Sequence, residues 1–125
     1  MSKVFIITGA RKGLGKALSE YYLNKGYIVA GCSRGEAEIE HENYRHFCLD
    51  VSDEKVVVQM VKAVKKEFGK IDVLLNNAGI ASMNHFLTTS KKSVDDIFAT
   101  NFVGSFLFAR ECAKVMICLL YTSDA

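Results

Sequence analysis

The chain has 125 residues, half of them hydrophobic and 24% charged, with no proline and a formal net charge of +2. This size and balance predict one globular domain and argue against a disordered or fibrous chain. The charge is too small and too evenly distributed to indicate nucleic acid or a membrane surface as the partner, so we expect a small-molecule ligand.

The first apolar run, Val4 to Ile7, is too short for a signal peptide or a membrane span, and we predict a cytoplasmic location. The cysteines form no CxxC pair, and the histidines have no metal-ligand spacing with them. We therefore predict structural thiols and no metal site. The cysteines are Cys32, Cys48, Cys112 and Cys118, and the histidines are His41, His46 and His85.

A buried strand is predicted at Val4 to Ile7, because this run is β-branched and aromatic and stops at a Thr-Gly pair. A glycine-rich turn follows, and then a helix that ends at Lys25-Gly26. The apolar face predicted for this helix consists of Leu14, Ala17, Leu18, Tyr21 and Tyr22.

Three further strands are predicted at Tyr27–Cys32, His46–Leu49 and Val73–Leu75. The stretch from Arg34 to Arg45 is polar and too short for a full helix with two loops, so we expect that crossover to be reduced or irregular. Strands that alternate with helices at this spacing predict an α/β domain with a parallel sheet and right-handed crossovers.

Two helices are predicted in the second half of the chain. The first begins at Ser52 as its N-cap, carries Asp53 in its first turn and ends at Gly69. The second begins at Ser93, whose spacing to Asp96 suits a capping box, and continues to Met116. The second helix is apolar nearly all round, which favours packing against a second subunit in the full-length protein.

The turn after the first strand carries glycines that let the backbone approach a ligand closely, and the N-terminus of the next helix offers unpaired N–H groups. A pyrophosphate is the ligand that this arrangement suits best. A purely structural turn is the alternative. The residues that we assign to this site are Thr8, Gly9, Arg11, Lys12, Gly13, Leu14 and Gly15.

Four motifs in this order, TGARKGLG, LDV, NNAG and the asparagine of NFVG, resemble the classical short-chain dehydrogenase/reductase family over residues 1 to about 117. The resemblance implies a Rossmann-like doubly wound parallel sheet, truncated after the fourth strand and its following helix. It also implies a partial NAD(P)-binding domain over 1–117 of an oxidoreductase that transfers a hydride between the cofactor and a carbonyl or alcohol substrate.

The end of the second strand is where such domains read the adenosine ribose. Ser33 and Arg34 can donate hydrogen bonds to a 2′-phosphate, and Arg11 or Lys12 adds a second cation. We therefore predict NADP as the cofactor. Glu36 could instead accept a hydrogen bond from a ribose hydroxyl, which keeps NAD as the alternative.

The resemblance implies roles for the remaining motifs. Asp50 would accept a hydrogen bond from the adenine amino group, and the Val51 backbone would meet the ring. Asn77, Ala78 and Gly79 let the backbone pass close to a ribose, and asparagine side chains can tie neighbouring strand ends together. Asn101, interpreted as a buried amide on an apolar helix, would help hold a water beside the catalytic lysine of the family.

The serine and the Tyr-x-x-x-Lys pair with which the family performs its chemistry are expected beyond a fifth strand. Tyr21 and Lys25 have that spacing, but they lie on the first helix, and we reject them as a catalytic pair. The sequence thus predicts a fragment that is inactive by itself. A non-catalytic NAD(P)-binding sensor or scaffold is the alternative, because a fold does not fix a function.

Two segments carry separate expectations. The loop Ile80 to Ser90 is the part of this chain that could contribute to a substrate pocket, and the sequence identifies no particular substrate. Residues 118–125 depart from the helical pattern and resemble a translated sequencing adapter, so we predict that they are a non-native tail.

Overall fold

The computed structural model describes residues 2–79 and 88–124, with side chains as far as Cys118. Most of the loop expected to contribute to a substrate pocket, residues 80–87, lies outside the described residues. The elements are β1 (Val4–Thr8), α1 (Gly13–Asn24), β2 (Ile28–Ser33), β3 (Tyr44–Cys48), α2 (Glu54–Phe68), β4 (Val73–Leu75), α3 (Lys91–Phe98), a π-helical turn (Ala99–Val103) and α4 (Gly104–Asp124).

The strands form one parallel sheet in the order β3-β2-β1-β4. Ile6 of β1 pairs with Ala30 of β2 on one side and with Leu74 of β4 on the other. The carboxyl ends of all four strands therefore meet at one edge of the sheet. The predicted Rossmann-like parallel arrangement is confirmed.

Helices cover both faces of the sheet. One face packs against α2 and α4, and its core includes Ile6, Cys32, Met60, Val64, Phe108 and Cys112. The other packs against α1, and its core includes Phe5, Ile7, Leu23, Val29 and Tyr44. β1 is buried along its whole length, and its sequence is accordingly a continuous apolar run as far as Thr8 rather than an alternating one.

The apolar face predicted for α1 is wrong in part. Leu14 and Tyr21 are exposed, and the buried positions of α1 are Gly15, Ser19 and Leu23. Because Gly15 and Ser19 are small, the backbone of α1 lies close to the end of β1. Ser19 meets its hydrogen-bonding need within the helix, since its hydroxyl donates to the Gly15 carbonyl at 2.8 Å.

Both predicted helix starts in the second half need correction. Asp53, not Ser52, caps α2 by accepting a hydrogen bond from the Lys55 N–H. Ser90, not Ser93, caps α3, and its hydroxyl accepts from the Ser93 N–H at 3.1 Å. Each true cap lies where the chain is still extended, as an N-cap requires.

The chain after Ser90 is not one continuous α-helix as predicted, because the π-helical turn Ala99–Val103 separates α3 from α4. The backbone of α4 is helical to Asp124, beyond the predicted end at Met116. The non-native origin of residues 118–125 stays a prediction.

The connection between β2 and β3 is irregular, as predicted, since residues 34–43 contain no helix. β3 begins at Tyr44, two positions earlier than predicted, because Tyr44 pairs with Val29. Within the described chain, no helix has both the length and the apolarity that crossing a membrane demands.

Candidate functional site

The glycine turn brings three parts of the chain together at the carboxyl edge of the sheet. Gly9 has a φ of +67°, and a Cβ there would lie 3.0 Å from the Ala78 Cα. A Cβ at Gly15 would collide with the Gly9 carbonyl. Both positions require glycine because no side-chain atom fits between β1, α1 and the segment after β4.

Thr8 ties the ends of β1 and β4 to each other. Its buried hydroxyl oxygen accepts hydrogen bonds from the N–H of Asn77 at 3.0 Å and from the N–H of Ala78 at 2.9 Å. The Asn77 side-chain amide donates to the Gly9 carbonyl at 3.3 Å. An asparagine therefore ties the strand ends together as predicted, and the NNAG segment is held against the glycine turn.

A cleft of about 510 Å³ runs along this edge. Lys12 is the N-cap of α1 but makes no side-chain capping hydrogen bond, so its side chain leaves the first-turn N–H groups of α1 available to a ligand. An anion suits this helix end because of its positive partial charge. The cleft is lined by Gly9, Arg11, Lys12, Gly13, Ser33, Arg34, Gly35, Asn77, Ala78 and Gly79.

Cationic side chains converge at the β2 end of the cleft. Arg34 follows β2, and the Arg11 guanidinium lies so close to Gly35 that a Cβ there would be 3.0 Å from its Nη1. Glu36 is not among the described residues that line the cleft. Its carboxylate instead accepts a hydrogen bond from the Cys48 thiol at 3.3 Å. The cations thus face the cleft, while the nearby glutamate contacts the end of β3.

Asp50 lies beside these cations. Its carboxylate accepts hydrogen bonds from the Ser52 N–H at 2.9 Å and the Ser52 hydroxyl at 2.8 Å, and Arg34 Nη2 is 3.4 Å from its second oxygen. The Ser52 N–H, then the Ser52 hydroxyl and Arg34, hold the pKa of Asp50 below its ordinary value against the effect of partial burial. Asp50 is therefore an ionised acceptor at neutral pH.

A smaller hollow of about 140 Å³ continues from the cleft past Val51. Leu49, the first residue of the LDV motif, and Thr100 also line it, and neither was assigned to the site from the sequence. Thr100 Oγ1 is buried without a hydrogen-bond partner in the described structure. The signal available in the sequence was a polar residue directly before Asn101 on an apolar stretch.

Asn101 lies in the π-helical turn, next to the NNAG segment. A Cβ at Gly79 would be 3.3 Å from the Asn101 Oδ1, so this side chain reaches the end of the cleft. The interpretation of Asn101 as a buried amide is wrong, because the residue is exposed. Insertion of a π turn changes which residues face the sheet, and such turns are frequent at functional sites.

Several other candidates lie away from the cleft. Leu14 is 66% exposed and is absent from the described cleft walls. Tyr21 and Lys25 contact each other on α1, with the ammonium 5.0 Å from the ring centroid, and neither lines the cleft. Burial raises the pKa of the Cys32 and Cys112 thiols to about 12, which agrees with structural thiols at these two positions.

Comparison with protein families gives a match to the short chain dehydrogenase model over residues 3–122. The chain is 30% identical over 121 residues to a 3-oxoacyl-[acyl-carrier-protein] reductase of Vibrio cholerae, covering 92% of this chain and 50% of that protein. The chain therefore spans about half the length of this relative.

Solved structures resemble the fold closely. ElxO with NADP bound superposes with a TM-score of 0.85 at 31% identity, over 93% of this chain and 51% of that one. The 3-ketoacyl-(acyl-carrier-protein) reductase of Brucella melitensis complexed with NADH gives 0.85 at 29% identity, over 90% of this chain and 49% of that one.

Proposed function

The chain belongs to the short-chain dehydrogenase family, and we propose that its cleft binds NADP(H) for an oxidoreductase that acts on a carbonyl or alcohol substrate. The observation that carries this proposal is the convergence of Ser33, Arg34 and Arg11 at one end of a cleft whose middle is the glycine turn. When bound, the nicotinamide would supply or accept the hydride.

The residues fit a dinucleotide in three zones. The glycine turn and the open N-terminus of α1 would hold the pyrophosphate. Asp50 and the Val51 backbone would meet the adenine, next to the hollow that Val51 lines. Asn77, Ala78 and Gly79 would lie along the nicotinamide ribose, with Asn101 beyond them in its family role of holding a water.

The preference for NADP over NAD rests on the residues of this chain, because the two similar structures carry NADP in one case and NADH in the other. A 2′-phosphate needs cations and hydrogen-bond donors, which Arg34, Arg11 and Ser33 supply. A 2′-hydroxyl needs an acceptor, and Glu36 contacts Cys48 instead of lining the cleft.

We propose further that this chain binds the cofactor without turnover by itself. Among the described residues that line the cleft there is no tyrosine, so the proton donor of the family chemistry has no counterpart there. The same observation favours the second candidate, a non-catalytic NAD(P)-binding sensor or scaffold. A Tyr-x-x-x-Lys pair beyond this region in the intact protein would decide for the enzyme.

A second copy of the chain is the proposed partner of the helical region from α3 to α4. Phe98 and Phe102 stack with ring centroids 5.0 Å apart, and they are 59% and 61% exposed. Phe106, in the first turn of α4, is exposed as well. Large aromatic surfaces of this kind are typical of subunit interfaces.

The test of the cofactor proposal is a calorimetric titration of the chain with NADPH and with NADH at one ionic strength. We expect NADPH to bind at least about tenfold more tightly, since the 2′-phosphate adds charge-assisted hydrogen bonds. Equal affinities would overturn the NADP preference. Binding of neither nucleotide would overturn the proposed site itself.

A further inference from the structure

A histidine stands directly behind Ser33, outside the described cleft walls. His46 lies on β3 opposite Gly31 of β2 in the sheet register. Its Nε2 is 2.9 Å from Ser33 Oγ and 2.9 Å from the Gly35 carbonyl oxygen. The Ser33 hydroxyl donates to the same carbonyl at 2.6 Å. These three groups form one hydrogen-bonded cluster under the β2 end of the cleft.

The tautomer of His46 follows from its other neighbour. The Tyr44 hydroxyl lies 2.6 Å from His46 Nδ1, and the two rings stack with centroids 5.8 Å apart. The Gly35 carbonyl can only accept, so Nε2 must carry the hydrogen that it donates. With that hydrogen on Nε2, Nδ1 accepts the hydrogen of the Tyr44 hydroxyl, and every donor in the cluster is used once.

Tyr44 is fixed in this position by the sheet. It is buried, and Gly31 leaves the space for its hydroxyl, because a Cβ at Gly31 would collide with the Tyr44 oxygen. A short strand thus places an oriented hydroxyl against His46. The imidazole is held with its N–H directed toward the Ser33–Gly35 turn.

We propose that His46 is a positioning residue that frees the Ser33 hydroxyl to donate to the 2′-phosphate of the cofactor. The Ser33 hydroxyl can donate one hydrogen bond, and in the described structure it donates to the Gly35 carbonyl. If it turns toward a phosphate, the carbonyl loses a donor unless His46 Nε2–H remains bonded to it. The histidine therefore removes the penalty of an unsatisfied carbonyl from cofactor binding.

This inference rests on the proposed function, and its test isolates the 2′-phosphate. The chain is titrated with 2′,5′-ADP and with 5′-AMP, which differ only in that group. We expect His46→Phe to weaken 2′,5′-ADP about tenfold while 5′-AMP affinity stays unchanged. His46→Gln, which keeps an N–H donor, should restore most of the loss. Unchanged 5′-AMP binding also shows that each variant is folded.

The outcomes separate the two proposals. Equal affinity of the native chain for both probes would overturn the NADP preference and this inference with it. The role of His46 alone would be overturned if the native chain prefers 2′,5′-ADP and His46→Phe leaves that preference intact. A His46→Phe chain that loses affinity equally for both probes would also overturn it. Nitrogen-15 NMR of the imidazole gives a second measurement: the Nε2–H tautomer supports the proposal, and the Nδ1–H tautomer contradicts it.

Discussion

The guanidinium of Arg34 lies 3.4 Å from the carboxylate of Asp50, so the residue proposed to read the 2′-phosphate is paired with the one proposed to meet the adenine. Their side chains are 69% and 44% exposed. Ion pairs this exposed contribute about 0–1 kcal/mol, and a phosphate can therefore attract Arg34 away from Asp50 at little cost. Asp50 keeps its two hydrogen bonds from Ser52 in either case.

Replacing Arg34 by Asp should weaken NADPH binding by roughly ten- to a hundredfold, the range expected for losing a charged hydrogen-bond donor. NADH affinity should change little, because the new carboxylate can accept a hydrogen bond from the 2′-hydroxyl of NADH. Fluorescence titration with both nucleotides measures the difference. Lys62→Asp is the matched control, since it makes the same charge change at an exposed position of α2 outside the described cleft walls. Equal losses for both nucleotides would disprove the assignment of Arg34.

Gly15→Ala should lower the free energy of unfolding by about 1–3 kcal/mol, because the added Cβ collides with the Gly9 carbonyl. Dinucleotide binding should fall with it, since the glycine turn must shift. Urea denaturation measures the first effect. Gly13→Asn is the control for stability: nothing lies within 4 Å of a Cβ at that position, and asparagine tolerates its φ of +60°. A Gly15→Ala chain as stable as the native one would refute this account of the turn.

Thr8→Val should destabilise the fold although the side-chain volume hardly changes, because the N–H groups of Asn77 and Ala78 both donate to the lost oxygen. We expect a loss of about 1–3 kcal/mol in the free energy of unfolding. Thr8→Ser keeps the acceptor and should recover most of it. Comparison of the two variants by chemical denaturation tests the tie, and similar losses in both would assign the effect to packing.

Stability should fall in acid through Asp72, which accepts a hydrogen bond from the Val4 N–H at 2.7 Å and lies 3.0 Å from Lys70 Nζ. Partial burial opposes its ionisation, but the Val4 N–H and Lys70 outweigh that effect and hold the pKa of Asp72 below its ordinary value. A lowered pKa in the folded state means that this stabilisation is present above about pH 5 and is lost as the pH falls through the folded value.

Asp72→Asn should therefore cost about 1 kcal/mol at neutral pH, and the difference from the native chain should shrink below about pH 4. Urea unfolding across that range measures it. Asp95→Asn serves as the control, because its ion pair with Lys91 lies on the exposed surface of α3 and should contribute little at any pH. A difference for Asp72→Asn that is independent of pH would contradict the electrostatic explanation.

Phe102→Glu should shift the protein toward a monomer, because a carboxylate cannot be buried in an aromatic interface without a partner. Sedimentation velocity measures the change. Tyr21→Glu introduces the same charge at an exposed position of α1 and should leave the assembly unaltered. If both variants keep the native sedimentation coefficient, the proposed subunit contact is wrong.

The elements that the sequence predicted well are those with strong local signals. β1 is a continuous apolar run, α2 ends at Gly69 with a φ of +82°, and the glycine turn lies between a strand and a helix as expected. Helix starts were less accurate because Ser52 and Asp53 are both good caps, and the local sequence does not show which of them remains extended. Ser90 and Ser93 present the same ambiguity.

The sequence alone determined the parallel α/β class and the glycine turn between β1 and α1, because hydrophobic periods and glycine conformations depend on neighbouring residues. Tertiary structure decided which distant groups meet. Only the folded sheet places His46 of β3 behind Ser33 of β2, bonds Thr8 to the NNAG segment and turns Glu36 toward Cys48. These contacts depend on strand order and register, which no local pattern encodes.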